Sequence, residues 1–294
     1  MGIIKNKEDI MRIIIELVKL IILTMAIVLA SKYIMVTYLR KLAETLNLKP
    51  RTVGNIAGIS TSIPELLTVS FSAATGFIST GIFNVLSSNI INMILYTFSI
   101  VSNKNLKHIR NKAIIIDISL AIVTIIIPIF LLIINMEVNL SLVPIFILLY
   151  LLFYYIDKNV HKLYLNTQDN KVYEEIQKET KFMKGKKRRT ALYSIILIIT
   201  MIILFFIGNL LSEVLERLCL QFGLPEILLG IVLGISTSIP ELITFFESQK
   251  HYKQKENIEL GVIETTNNLL ASNMLCLFII QSIGIIIYSL TNLI

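Results

Sequence analysis

Apolar residues along this chain gather into eight runs of about twenty, divided by shorter polar stretches. The runs cover about Leu20–Leu39, Thr52–Gly76, Gly81–Val101, Ala113–Ile134, Leu140–Ile156, Ala191–Leu211, Pro225–Phe246 and Asn268 to the end. About twenty apolar residues are what a helix needs to cross a bilayer. The runs lack the apolar–polar alternation of strands. In lipid only helices and closed barrels satisfy their own backbone. The pattern therefore predicts an all-α polytopic membrane protein of about eight transmembrane helices, with residues 1–19 as an amphipathic lead-in.

Composition agrees. Of the 294 residues 55% are hydrophobic and 16% charged, with a mean hydropathy of +0.76, a profile no soluble core requires. The net charge of +7 raises the question of nucleic acid, but the basic residues sit between the apolar runs, and no nucleic-acid partner is expected. Lys/Arg clusters follow the first, third, fifth and seventh runs and are sparse or absent after the even ones. By the positive-inside bias, the odd exits are cytoplasmic and the N-terminus lies outside. The long basic stretch Asp157–Thr190 becomes a cytoplasmic loop against anionic lipid. It divides the chain into an N-terminal half (1–156, helices 1–5), the loop (157–190) and a shorter C-terminal half (191–294, helices 6–8). Leu20–Leu39 is too long for a signal-peptide core. Cys219 and Cys276 are too few for a disulfide framework, and His108, His161 and His251 fall in separate polar stretches.

The chemistry lies in a repeat. Gly58-Ile59-Ser60-Thr61-Ser62-Ile63-Pro64-Glu65-Leu66 recurs letter for letter as Gly234-Ile235-Ser236-Thr237-Ser238-Ile239-Pro240-Glu241-Leu242. Each copy places a carboxylate inside a membrane run, where ionisable groups are costly and mark function. The copies lie five crossings apart, so they point in opposite directions, as in inverted-repeat transporters with a site at the repeat interface. Gly58, Thr61, Ser62 and Glu65 share one helical face, as do Gly234, Thr237, Ser238 and Glu241. Pro64 and Pro240 lack an N–H and clash with the carbonyls of Ser60 and Ser236, so the helix is expected to bend there. Ser, Thr and Gly in membrane helices also serve close packing; a repeated carboxylate is not explained that way. The face offers oxygen only, and hard cations such as Ca²⁺ take six to eight oxygens. Asn84, Ser88 and Asn92 line the next run at four-residue spacing, matched by Asn268, Ser272 and Cys276.

These paired G-x-x-T-S-x-P-E segments, each followed by N-x-x-x-S-N, resemble the two alpha repeats of the cation/Ca²⁺ exchanger superfamily, and the prokaryotic Na⁺/Ca²⁺ exchangers in particular. Asp117, early in the fourth run, fits as well. The resemblance implies an antiporter, not an enzyme, working in the cell membrane without a cofactor and carrying Ca²⁺ and Na⁺. It implies that Glu65 and Glu241 are the shared carboxylates, with Thr61 and Thr237 adding oxygens and Gly58 and Gly234 assisting through their backbones. Ser62 with Ser272 would frame one flanking Na⁺ site, and Ser88 with Ser238 the other. Asn92 completes the set, with Asn84, Asn268 and Cys276 as secondary candidates. Proton-driven relatives carry a Gln-containing signature, so the resemblance favours Na⁺.

Three departures bear on function. Cys276 stands where the family has Asn or Asp. Glu241 and Asn268 are 27 residues apart against 19 between Glu65 and Asn84. The family has ten helices, and counterparts of helices 4 and 5 are missing from the second half. Two alternatives stay open: a non-transporting protein of the same fold, and an exchanger using H⁺ or another divalent ion.

Overall fold

The computed structural model describes residues 7–46, 48–74, 76–134, 139–164, 186–222, 225–254 and 257–291, and among these every regular element is a helix. α1 (Lys7–Leu29) passes through a π-helical segment (Ala30–Val36) into α2 (Thr37–Leu46). α3 (Pro50–Thr61) and α4 (Ile63–Ala74) form one broken rod, followed by α5 (Ile78–Ser102), α6 (Lys112–Ile133), α7 (Leu142–Tyr164) and α8 (Lys186–Phe222). α9 (Glu226–Thr237) and α10 (Ile239–Gln254) form the second broken rod. α11 (Ile258–Met274) runs through a second π segment (Leu275–Ile280) into α12 (Gln281–Thr291).

These eight rods match the eight apolar runs. Seven are long and apolar enough to span a membrane; the rod 7–46, several of whose side chains lie outside the described set, is not among the seven. The motif helices do more than bend. Each breaks at the serine two residues before its proline, Ser62 and Ser238, which adopt φ/ψ of −83°/5° and −80°/0°. Pro64 and Pro240 then sit in the first turn of α4 and α10, where a missing N–H costs nothing.

Other boundaries moved. The charged insert of the second repeat is helical: α10 continues to Gln254 and α11 begins at Ile258, ten residues before Asn268. α7 extends past Ile156, so Asp157 belongs to a helix, is buried and takes a hydrogen bond from Arg51 Nη2. The basic run at the end of the loop, Lys186 onward, opens α8. Residues 165–185 of the loop lie outside the described residues.

Each motif half-helix lies against the other repeat. α3 packs on α11, and α9 packs on α5. Glycine makes both approaches possible. A Cβ on Gly58 would stand 2.6 Å from Asn268 O, and one on Gly230 would stand 2.6 Å from Thr80 O. A Cβ on Gly234 would fall 2.8 Å from Asn84 O. α4 and α10 then pack beside α5 and α11 of their own repeats, giving the two inverted-topology repeats a mirrored core. On one flank α1, α2 and α8 close over Ile27, Met35, Leu39, Leu204 and Leu211. On the other, α6 and α7 pack through Ile114, Phe146 and Phe153, with Phe278 of the π segment edge-on to both rings. The outer faces of α6, α7 and α8 leave Phe130, Leu148, Tyr155, Ile198 and Phe206 more than half exposed, as a lipid-facing surface does.

Candidate functional site

The two helix breaks meet at the centre. Ser62 and Ser238 end α3 and α9, and Glu65 and Glu241 follow in the first turns of α4 and α10. Both carboxylates are fully buried, as are Thr61, Ser62, Ser88, Asn92, Thr237, Ser238 and Ser272.

Hydrogen bonds tie each glutamate to the next helix of its own repeat and, through that helix's serine, to the helix break of the other repeat. Ser88 Oγ donates to Glu65 Oε1 at 3.0 Å and lies 3.1 Å from Ser238 Oγ. In mirror image, Ser272 Oγ donates to Glu241 Oε1 at 3.1 Å and lies 2.9 Å from Ser62 Oγ. Ser62 and Ser238 each lie 2.8 Å from the carbonyl four residues back, Gly58 O and Gly234 O. Thr61 and Thr237 also reach those carbonyls, at 3.2 and 3.4 Å. Across the repeats, Thr61 faces the Glu241 carboxylate and Thr237 that of Glu65. The carbonyls of Gly58 and Gly234 thus already accept hydroxyl hydrogen bonds, and the absence of a Cβ on each lets the facing helix approach.

Asn84 and Asn268 stand one turn away. Asn84 Nδ2 donates to Thr68 Oγ1, and Asn268 Nδ2 to Thr244 Oγ1 at 2.6 Å. Each threonine in turn donates to the carbonyl of its glutamate, at 3.0 Å for Thr68 and 2.9 Å for Thr244. Asn92 Nδ2 crosses to Ser272 Oγ at 3.3 Å and to Asn273 Oδ1 at 3.2 Å. Cys276 is fully buried and lies beside Ser62 and Ser272.

Four residues outside the expected set belong here. Asn89 and Asn273 exchange amide-to-carbonyl hydrogen bonds of 3.3 Å each across the pseudo-twofold axis. Thr68 and Thr244 orient the asparagines. The signal for them was present: both pairs occupy equivalent places in the two repeats, at the end of N-x-x-x-S-N and three residues after the glutamate.

The site is rich in acceptors and short of donors. Glu65 Oε2, Glu241 Oε2, Asn84 Oδ1, Asn268 Oδ1, Asn89 Oδ1 and Asn92 Oδ1 are buried with no hydrogen-bond partner among the described residues. Buried polar atoms are rarely left so, and every one of these is an oxygen. The described residues hold no cluster of three or more His, Cys, Asp or Glu suited to a metal. The acceptors gathered here are two carboxylates with hydroxyl and amide oxygens around them.

A sequence model of a family described as sodium/calcium exchanger protein matches residues 17–157 and 192–293. The chain belongs to the sodium/calcium exchanger family. No curated protein matches it. Solved structures of the sodium-calcium exchanger NCX_Mj are similar in fold. One, soaked with 10 mM Na⁺ and no Ca²⁺, is 17% identical with a TM-score of 0.56, covering 94% of this chain and 83% of that one. Another, soaked with 2.5 mM Na⁺ and 0.1 mM Sr²⁺, is 16% identical with a TM-score of 0.58, covering 96% and 87%. At such identity the likeness speaks for the fold. Membership in the exchanger family makes the chain an integral membrane protein of a cation-transporting type, and its paired motifs occupy the interface between its repeats.

Proposed function

We propose that the protein is a secondary antiporter exchanging Ca²⁺ for Na⁺ by alternating access, with Glu65 and Glu241 as the shared carboxylates. The observation that carries this reading is a shortage of protons at the serine pairs. A hydroxyl has one hydrogen to give. Ser238 spends its own on Gly234 O and Ser88 spends its own on Glu65. None remains for the 3.1 Å contact between them. Ser62 and Ser272 repeat the shortage at 2.9 Å.

A cation among these oxygens removes the lone-pair repulsion and meets the unpartnered Glu65 Oε2 and Glu241 Oε2. The two carboxylates balance one Ca²⁺ or two monovalent ions, and serine and asparagine oxygens fill out the shell that a hard cation requires. Left empty, the paired buried charges resist reorientation across a low-dielectric membrane, which couples movement to occupancy. One proton on each glutamate also cures the shortage, because the carboxyl then donates to its serine and frees that hydrogen. Protons are therefore competitors at the same place.

The supporting frame is an outside N-terminus, a cytoplasmic 157–190 loop in the cell membrane, and halves 1–156 and 191–294 that expose the site alternately. The related exchanger NCX_Mj is described as undergoing extracellular ion exchange and induced binding-site occlusion, which suits this scheme.

The test is uptake of radiolabelled Ca²⁺ into proteoliposomes carrying an outward Na⁺ gradient. Uptake that collapses when the Na⁺ gradient is dissipated is expected. Uptake that follows a proton gradient instead assigns H⁺ as the coupling ion. No uptake under either gradient returns the chain to a non-transporting member of the fold.

A further inference from the structure

The hydrogen bonds that lead away from the site form two ladders. In the second repeat α11 meets α10 at three successive turns. Ser272 donates to Glu241 at 3.1 Å, Asn268 donates to Thr244 at 2.6 Å, and Glu264 accepts from Ser248 at 2.6 Å. The α11 members recur every fourth residue, a rise of about 6 Å per rung. In the first repeat α5 meets α4 through Ser88 and Glu65, then through Asn84 and Thr68. There the third places fall to Ser72 and Thr80, seven residues after Glu65 and four before Asn84. One ladder therefore ends on hydroxyls and the other on a carboxylate. The two ends point to opposite sides of the membrane, because the repeats are inverted. Gln249, next to Ser248, accepts from Asn105 Nδ2 at 2.8 Å, and Asn105 lies in the basic stretch Lys104–Lys112. Lys and Arg clusters between membrane helices mark the cytoplasm, so the carboxylate end is the cytoplasmic one.

Packing alone does not account for an acid at this place. Glu264 is 1% exposed and lies inside the membrane-spanning stretch Ile258–Thr291. Ionisable residues so placed face the bundle interior and mark ion routes. From Glu264 toward the centre, the next oxygens are Asn268 Oδ1 and Glu241 Oε2, both buried acceptors without a partner among the described residues. The corresponding oxygens of the first repeat are Thr80 Oγ1, Asn84 Oδ1 and Glu65 Oε2, which are unpartnered in the same sense. That outward row carries no charge at its far end.

We propose that Glu264 draws hard cations, Ca²⁺ more strongly than Na⁺, along the cytoplasmic approach to the paired glutamates. The proposal rests on the paired-glutamate reading of the site and on the cytoplasmic placement of the basic stretches. A doubly charged ion feels the carboxylate twice as strongly as a singly charged one. Low-dielectric walls focus that field and raise the local concentration of counter-ions. The apparent affinity for Ca²⁺ is therefore higher at the cytoplasmic face than outside, although both faces lead to the same two glutamates.

The test places a reporter thiol beside the carboxylate, as Ser248→Cys in the full chain with Cys219→Ser and Cys276→Ser. Membrane-impermeant methanethiosulfonates, one carrying trimethylammonium and one carrying sulfonate, are applied to inside-out and to right-side-out membrane vesicles. Modification is expected from the cytoplasmic face only and faster with the cationic reagent. Adding Glu264→Gln, which keeps an oxygen to accept from position 248, should lower the cation-to-anion rate ratio about tenfold or more. Glu264→Asp, which keeps the charge, should preserve the ratio and reports even where the glutamine variant fails to fold. In sided flux measurements, Glu264→Gln should raise the half-saturating Ca²⁺ concentration at the cytoplasmic face by about tenfold and leave the outer value in place. No modification, modification from outside, a ratio that Glu264→Gln leaves unchanged or that Glu264→Asp also loses, or an equal loss of Ca²⁺ affinity at both faces overturns the proposal. The labelling needs no transport. The expected pattern in a protein that moves no Ca²⁺ keeps the cytoplasmic approach and removes the exchange reading, whereas Na⁺-driven uptake without labelling removes the approach and keeps the exchange.

Discussion

Ser62 and Ser272 stand 210 positions apart in the sequence and hold their hydroxyl oxygens 2.9 Å apart. Ser88 and Ser238, separated by 150 positions, repeat the contact at 3.1 Å. Each pair joins the break of one repeat to the helix that supports the glutamate of the other, so neither carboxylate is held by its own repeat alone.

The pairs are not equivalent, and that asymmetry can be measured. Ser272 serves Glu241, Ser62 and Asn92, whereas Ser88 serves Glu65 and Ser238. Hydrogen bonds to charged groups contribute about 1.5–3 kcal/mol. Each serine-to-alanine change should therefore raise the Na⁺ concentration for half-maximal exchange by about tenfold or more, with Ser272→Ala the larger effect. A Na⁺ dependence like that of the wild type in either variant would take that serine out of the ion path.

The glutamates separate charge from shape. In Glu65→Gln and Glu241→Gln the amide oxygen still accepts from Ser88 or Ser272, so both variants should insert and elute as the wild type does. Both should lose Ca²⁺ flux. Added Ca²⁺ should raise the thermal midpoint of the wild type, since a ligand at a hundred times its Kd adds about 2.7 kcal/mol, and should leave both variants unmoved. Wild-type flux in either one would end the shared-site scheme.

What the sequence disclosed and what it hid divide along a physical line. The nine-residue repeat exposed Glu65, Glu241, Ser62 and Ser238 because identical local chemistry is visible without knowing any contact. The helical insert was hidden. Glu264, Thr265, Thr266 and Asn267 look like loop residues by composition, yet all are buried. Two of them have partners on other helices: Ser248 donates to Glu264 at 2.6 Å, and Tyr96 and Thr266 pair at 2.9 Å across 170 positions. Gln249 nearby is held by Asn105 and Ser99 at 2.8 Å each. Polar residues enter a membrane interior when tertiary contacts satisfy them, and tertiary contacts leave no local trace. The break at Ser62 escaped for a related reason. A proline announces that a helix is disturbed, but whether it kinks the helix or opens a new one is settled by what surrounds it.

The glycine contacts predict a steric failure. A methyl at Gly58 or Gly234 would lie 2.6 or 2.8 Å from backbone oxygens of the facing helix, Asn268 O and Asn84 O. Backbone cannot rotate aside, so the helices must part. Gly58→Ala and Gly234→Ala should each destabilise the protein by about 1–3 kcal/mol, as overpacking does, seen as a lower thermal midpoint in detergent. An unchanged midpoint would mean that α3 and α9 lie further from their neighbours than described.

The charge pattern predicts sidedness. Single cysteines at Ser141 and Lys171, in a background lacking Cys219 and Cys276, should be labelled from opposite faces of the membrane, Ser141 from outside. Labelling of both from one face would invalidate the outside N-terminus and the opposed orientation of the two motifs.

The crossed packing of α3 on α11 and of α9 on α5 also governs how the protein is made. A chain threaded into the membrane from its N-terminus delivers Glu65 early, but the partners of its neighbourhood, Ser238 and Asn273, are delivered near the end of synthesis. Until then the first glutamate has Ser88 and Thr68 of its own repeat beside it but not the residues of the second. Contacts of such sequence separation form late and slowly, so the half-built protein carries an exposed polar helix that insertion machinery or a chaperone must tolerate. Neither repeat, produced alone, would be expected to hold an ion; the site comes into being only when the second helix break arrives beside the first.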